Sequence, residues 1–456
     1  MRGARNRWWL VVAAGLAVFM VALDSSIVNV ALPSIGLAFH AQATLTEWAI
    51  LGYLLPAVAL VLPAGRWLDR SGRRPAFVLA VAGFAVSSAV AGAAPGVGWL
   101  IAARIVQGAF GALLSAIFPA LVTGAVQPEV RGRAMSLVAT LGPLGAVTGP
   151  ALGGVLIAAV GWPAIFYVNV PVSLAVIAIG LRTIEAGGRL RIPDRGWLLE
   201  SALLAAATAV LLVALAEAPV RGLAWLLGAL VAGPLLVAWS RLPASRPVAE
   251  LVRASGMAGP MGALLLNVTG IAGAGFIAPF FLEQSLHAGT AVTGLAVLAL
   301  PLGMASASSL GGYLADRWHA RGMTLIGTLV IATGLALISP LSGSWHSSDL
   351  MWRLGLVGVG IGLFAGPNMA VAMQQAPGHL LGTAGAATSL ARSLAFALGP
   401  AVVTVPWAVA GYSIAGMRAA AGLTVAAAAL AFAATLAAWV WRRRAAPVEV
   451  ELEQAA

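Results

Sequence analysis

Apolar runs of about twenty residues recur along the whole 456-residue chain, and a run of that length is what a helix needs to cross a hydrocarbon layer about 30 Å thick. They are read near 8–37, 47–67, 75–94, 98–124, 134–159, 163–181, 197–216, 222–239, 257–282, 291–314, 322–340, 350–373, 382–409 and 415–441. The expectation is fourteen transmembrane helices and an all-α polytopic membrane fold, since lipid leaves a backbone no partner outside a helix or a closed barrel. Charged residues are 9% of the chain, where soluble domains carry roughly a quarter, so a large polar domain does not fit. The first run follows Arg2, Arg5 and Arg7. It is too long for a signal-peptide core and carries Asp24, so it is read as a retained first span.

With no cysteine and five scattered His, the chain offers no thiolate or imidazole ligand set, and neither metal nor cofactor is expected. A net charge of +11 would suggest nucleic acid in a soluble chain. Here every basic residue is Arg, most lie between apolar runs, and their placement reports topology instead. Alternate loops hold 21 Arg against two in the opposite set, which puts both termini in the cytoplasm and requires an even number of crossings. Arg without Lys, together with Ala-rich spans, suggests a GC-rich bacterial genome and hence a bacterial inner membrane.

Three short features recur in order at nearly one offset. Gly65-Arg-Trp-Leu-Asp69-Arg70 is echoed by Gly312-Tyr-Leu-Ala-Asp316-Arg317, Arg104 by Arg353, and Gly149-Pro150-Ala151 by Gly399-Pro400-Ala401. An internal repeat follows. Its parts are an N-terminal six-span half (1–182), a linker with two inserted spans (183–256), a C-terminal six-span half (257–441) and a cytoplasmic tail (442–456).

Four strings now carry a resemblance. Gly65-Arg-Trp-Leu-Asp69-Arg70-Ser-Gly72-Arg73-Arg74 resembles the G-x-L-x-D-R-x-G-R-R loop signature of the major facilitator superfamily, with Trp67 where Leu is usual. Leu23-Asp24-Ser25-Ser26-Ile27-Val28-Asn29-Val30-Ala31-Leu32-Pro33 is close to the first-span string of that superfamily's fourteen-helix drug:proton antiporter branch, with Ser26 replacing Thr. Arg104-Ile-Val-Gln107-Gly108-Ala-Phe-Gly111-Ala112 is similar to its R-x-x-Q-G-x-G-A, and Gly145-Ala-Val-Thr-Gly149-Pro150-Ala-Leu-Gly153-Gly154 to the antiporter string of the fifth span. The second loop copy departs at His319, where Gly would stand, and a looser turn is expected there.

The resemblance implies a monomeric secondary exporter, an antiporter of amphipathic or cationic small molecules such as antibiotics. It would be driven by protons and work by alternating access. The absence of a Walker string speaks against ATP as the driver. Export of a lipid or an endogenous metabolite keeps the fold and changes the cargo. A membrane-embedded enzyme would need a nucleophile with a base or clustered acids, and the spans supply one deeply placed carboxylate.

That carboxylate is Asp24. Ionised at mid-membrane it costs at least about 2.5 kcal/mol, so it is either a reversible proton carrier or a charge neutralised permanently by a partner. Arg104 is the fixed positive charge that would couple to it, or simply its salt-bridge partner. Ser26 and Asn29 lie within two turns of Asp24 and are cavity candidates, as are Gln107, Asn267, Glu283, Gln284, Asn368 and Arg392. Arg392, midway along its span with no sequence-local acid, must face a cavity or carbonyls. Gly145, Gly149, Gly153 and Gly154 allow close helix approach, with Pro150 permitting a bend. Asp69 with Arg70, Arg73 and Arg74, and in the repeat Asp316 with Arg317, would form charge pairs that latch one conformation, or else serve only as a positive-inside anchor. Arg353, beside Asp349, reads as an interfacial ion pair.

The Arg asymmetry makes a direct prediction. A Cys placed at Ala41 should react with an impermeant maleimide in intact cells, while one placed at the C-terminus should react only after permeabilisation. Labelling of the C-terminal Cys from outside would overturn the even-crossing topology.

Overall fold

The computed structural model describes residues 7–41, 43–46, 48–185, 187–221, 223–253 and 256–454. Arg2 and Arg5 lie outside them. The principal helices are α1 (Trp8–Phe39), α2 (Trp48–Ala59), α3 (Val61–Arg70), α4 (Arg73–Gly92), α5 (Val97–Ala125), α6 (Arg131–Val160), α7 (Asn169–Thr183), α8 (Arg195–Arg221), α9 (Ala229–Ser240), α10 (Arg246–Arg253), α11 (Ala258–Phe280), α12 (Thr290–Arg317), α13 (Ala320–Ile338), α14 (Ser347–Gln375), α15 (Leu381–Val409) and α16 (Ile414–Gln454). Large apolar side chains such as Trp9, Val86, Leu295 and Leu310 are exposed along them. Water would penalise that surface and lipid does not. The chain is a multi-pass membrane protein.

The span count departs from fourteen. Among the described residues ten helices are long and apolar enough to cross a membrane, or eleven if the bent pair α2–α3 is one span. The bend is 47° and has a local cause: Pro63 offers no N–H to the carbonyl of Ala59 and crowds it, so the helix breaks at Leu60. At the eighth expected position the chain forms a short 3₁₀ stretch, Leu223–Gly228, and then α9, whose 12 residues are too few to cross. At the fifth and seventh, α6 and α8 run for 30 and 27 residues. Both contain side chains outside the description, those of Pro143, Val147, Pro150 and Ala151 in α6 among them, and both stand outside that tally.

Contacts divide the chain into two units. One comprises Met1–Ser255 with Met373–Ser393, the other Gly256–Ala372 with Leu394–Ala456. In the first unit α6 lies along α1, with Gly145 against the Phe19 carbonyl, Gly149 against Ser26 and Ile27, and Gly153 against Ile27. In the second, α11 packs on α13 and α16, and Gly399 of α15 sits against Ala272 and Gly273 of α11. The repeated Gly149 and Gly399 thus mark the same kind of close helix crossing in each unit.

The inserted helix α8 is fastened to α3. Asp194 caps its first turn by accepting from the Trp197 N–H at 2.7 Å, and the Trp197 indole donates to the Pro63 carbonyl at 3.0 Å. One turn further on, Glu200 is fully buried and pairs with Arg66 of α3, itself 7% exposed. Trp239 of α9 donates to the other Glu200 oxygen at 3.1 Å. Arg66, counted in sequence as a topological anchor, is therefore also a buried ion-pair partner that ties the insert to the second span.

Breaking a buried pair from one side leaves an uncompensated charge and costs about 3–5 kcal/mol, whereas replacing both partners by apolar residues is close to neutral. Glu200→Ala should lower the thermal unfolding midpoint of the purified protein markedly, and Arg66→Met with Glu200→Leu should restore most of it. Equal midpoints for wild type and Glu200→Ala would show that the insert is held by other contacts.

Candidate functional site

The first span carries its carboxylate to the meeting point of five helices. Asp24 on α1 is fully buried. One oxygen accepts from Arg104 Nη1 of α5 at 2.6 Å, and the other from Gln107 Nε2 at 2.9 Å and Asn169 Nδ2 of α7 at 2.7 Å. Arg104 spends its remaining donors nearby: Nε donates to the Ala49 carbonyl of α2 at 2.9 Å and Nη1 to Gln107 Oε1 at 2.7 Å. Its guanidinium lies 4.3 Å from the centre of the Tyr53 ring and 5.7 Å from that of Phe166, which suits a planar cation in a dry site. Asn169 also donates to Ser88 Oγ of α4 at 3.0 Å, and Ser88 donates to the Phe166 carbonyl at 2.8 Å.

Arg104 and Gln107 reach the same acid because residues three apart on a helix share a face. Their N–H groups meet a charge that hydrocarbon would otherwise penalise. Asp24 is held close because α6 presents Gly145, Gly149 and Gly153 on one stripe, where a Cβ would collide with α1 on either side of it. Gly154 lies off the stripe and touches nothing there. The Pro150 side chain lies outside the described residues. Ser26 and Asn29 do not join the network: Ser26 donates to the Leu23 carbonyl at 3.1 Å, and Asn29 is exposed and donates to the carbonyls of Ser25 and Ser26. Asn169 and Ser88 were missed in sequence. The available signal was an Asn and a Ser inside apolar runs, which mean little until the fold places them against an acid.

A second constellation joins α3 to the start of α15 inside the first unit. Asp69 accepts from the Gly382 N–H at 2.6 Å, the Thr383 N–H at 2.8 Å and the Thr383 hydroxyl at 2.5 Å. The expectation of charge pairs with Arg70, Arg73 and Arg74 is corrected here. A helix N-terminus presents unpaired N–H groups and a positive dipole end, and these claim the carboxylate. Gly65 and Gly382 let the two helices cross at backbone contact.

The loop glycine also has a different reason from the one expected. Gly72 has φ −60° and His319 φ −162°, conformations open to any residue. What excludes a side chain at Gly72 is the backbone of Gly187 and Gly188, within 2.9 Å of where a Cβ would stand. The Gly72 N–H donates to the Arg189 carbonyl at 3.1 Å. Trp67, the departure from the usual Leu, donates its indole N–H to the Arg191 carbonyl at 2.6 Å. In the second copy Arg317 donates to the Tyr313 hydroxyl at 2.9 Å, and Asp316 is half-buried.

The remaining polar candidates take no part in the Asp24 network, and all but Arg392 lie in the second unit. Asn267 donates to Thr328 Oγ1 at 3.2 Å and Asn368 to the Pro260 carbonyl at 3.1 Å, each leaving its own Oδ1 without a partner. Glu283 and Gln284 are exposed on the π-turn Phe281–Ser285 that ends α11. Arg353 bonds the Asp349 carbonyl, stands 3.5 Å from its carboxylate and has the Trp345 and Trp352 rings within 4.5 Å of its guanidinium. Arg392 of α15, placed by contacts with the first unit, is half-buried.

A profile of the Major Facilitator Superfamily matches residues 14–400. The tetracenomycin C resistance and export protein of Streptomyces glaucescens is 32% identical over 414 residues, covering 88% of this chain and 76% of that protein. The puromycin resistance protein pur8 of Streptomyces alboniger is 32% identical over 415 residues, covering 87% of this chain and 81% of its own. Among solved structures the proton:xylose symporter XylE aligns with a TM-score of 0.67 at 16% identity over 95% of each chain, a likeness of fold alone.

The glycine stripe yields an internally controlled prediction. Overpacking a filled seam costs about 1–3 kcal/mol, so Gly149→Val should lower the unfolding midpoint while Gly154→Val leaves it unchanged. Equal effects of the two would remove the stripe's claim to seat α1.

Proposed function

The chain belongs to the major facilitator superfamily, a family of transporters, and on that footing we propose that it exports amphipathic small molecules of the antibiotic and drug class in exchange for protons. The resistance functions named for the two curated relatives support the cargo class. Proton exchange rests on one observation: a fully buried carboxylate whose two oxygens are both met by hydrogen-bond donors, one from a guanidinium.

A proton delivered to Asp24 cancels the charge that Arg104 balances. Arg104 then keeps its attractions to the Ala49 carbonyl, to Gln107 and to the Tyr53 and Phe166 faces. Its release from α1 loosens the contact between α1 and α5, and the proton's arrival becomes a change in helix packing. Asp69 supplies the second element. Its three bonds to the start of α15 hold that end of the helix on α3, and breaking them frees α15 to move. The finer assignments belong to this proposal: two halves joined by an inserted stretch, the drug:proton antiporter branch, and both termini in the cytoplasm of a bacterial cell. The motif strings and the Arg asymmetry support them. The cationic version of the cargo draws little support from Asp24, whose oxygens already carry an arginine.

In proteoliposomes, Asp24→Asn should abolish export driven by an imposed pH gradient, because Asn keeps the shape and does not titrate. Asp24→Glu should keep a fraction of the rate with a shifted pH profile. Undiminished gradient-driven export by Asp24→Asn would refute the coupling role and move attention to Glu283.

A further inference from the structure

Among the described residues, most charges within the helices have a partner. Asp24 holds Arg104, Glu200 holds Arg66, Asp69 caps α15, Asp349 holds Arg353, and Arg418 donates to the Leu341 carbonyl. Asp316 is also engaged. Arg392 differs. It lies in the middle of α15, about 16 Å of helix rise from Leu381, too deep for its stem to carry the head to an interface. Among the described residues it has no hydrogen bond, ion pair or ring contact.

The positions one and two turns before it pack on α5. Gly385 packs on the Ala116 carbonyl and Pro119 of α5, and one turn on Ser389 donates to the Ser115 carbonyl at 3.0 Å. Arg392 continues that stripe, and the antiparallel run of the helices brings it level with Gly111 and Ala112 of α5, which are small and apolar. A guanidinium offers five N–H donors in a planar fork shaped for an oxyanion. Left unpaired at membrane depth it is among the costliest groups a span can carry, yet it is half-buried and keeps part of its surface open.

Resting on the export reading above, we infer that the transported molecules present an anionic group, a carboxylate, sulfonate or phenolate, and that Arg392 is the residue that receives it. The same oxyanion chemistry is offered by an anionic lipid headgroup. The selectivity follows from the charge left unanswered: the carboxylates of Asp24, Glu200 and Asp69 are met by Arg104, by Arg66 and by the donors at the start of α15, and the positive charge of Arg392 is met by none. An apolar body with an acidic head fits this arrangement, and a quaternary ammonium compound meets repulsion.

The test uses the purified full-length chain and two dyes of one ring system, fluorescein as the anion and rhodamine 6G as the cation, with dissociation constants read by fluorescence polarisation. Wild type should bind fluorescein at least about tenfold more tightly than Arg392→Gln, the loss expected for a charge-assisted bond. Arg392→Lys should recover part of it, and rhodamine 6G should bind Arg392→Gln as well as or better than wild type. Equal fluorescein affinity in wild type and Arg392→Gln, zero in both included, overturns the assignment. Should Arg392→Gln fail to fold, displacement of fluorescein from the wild type by an aryl sulfonate decides, with no displacement counting against it. Nanodiscs of phosphatidylcholine with and without phosphatidylglycerol separate the two sources of anion, since competition by phosphatidylglycerol in wild type alone identifies a lipid headgroup. A binding difference without export of either dye from proteoliposomes would sink the efflux reading and leave Arg392 as an anion site.

Discussion

Ionised in hydrocarbon, a carboxylate persists only when its oxygens are met by donors, and the first unit is arranged around meeting those of Asp24. Arg104 and Gln107 arrive together from one face of α5, Asn169 from the start of α7, and Ser88 of α4 holds Asn169 in turn. These groups come from three helices besides α1, so the network fixes how α1, α4, α5 and α7 sit in register. The glycines of α6 close the remaining side by admitting backbone where side chains would keep α1 away. Removing the charge of one residue therefore acts on several helix contacts at once, which is what a coupling element requires.

Helix N-termini and backbone amides recur as partners for loop charges. Asp69 was expected among arginines and is bound instead by two amide N–H groups and a hydroxyl. The segment leading into α8 threads against the same loop, with Gly72, Trp67 and Arg66 each contacting residues between Gly187 and Glu200. The inserted helices are in this way wired to the element that carries Asp69.

The residues whose role is set by their own span were legible in sequence. Asp24 and Arg104 could be paired because an acid and a guanidinium at membrane depth have few alternatives, whereas Gln107, read only as a cavity candidate, joins their network through bonds to both. The Gly145–Gly149–Gly153 stripe declared itself by its spacing of four. Asn169, Ser88 and Glu200 were not legible, because an isolated polar residue in an apolar run has many bland explanations and its partners lie 39 to 145 residues away. The eighth expected span departs for a local reason: the stretch over 222–239 is apolar, but its first part forms a 3₁₀ segment, Leu223–Gly228, and leaves α9 with 12 residues. Trp67 looked like a lapse from a pattern and turned out to be a hydrogen-bond donor to a loop that the pattern alone does not describe.

The central claim is that Asp24 takes up and gives back a proton inside its network. Infrared difference spectroscopy of the purified protein reads this at the group itself, through the carbonyl stretch of a protonated carboxyl. Lowering the pH should produce such a band in wild type, with the deuterium shift of an exchangeable carboxyl, and that band should be missing from Asp24→Asn. The same band at full intensity in Asp24→Asn, or no band in wild type across the range where the protein stays folded, would contradict the account.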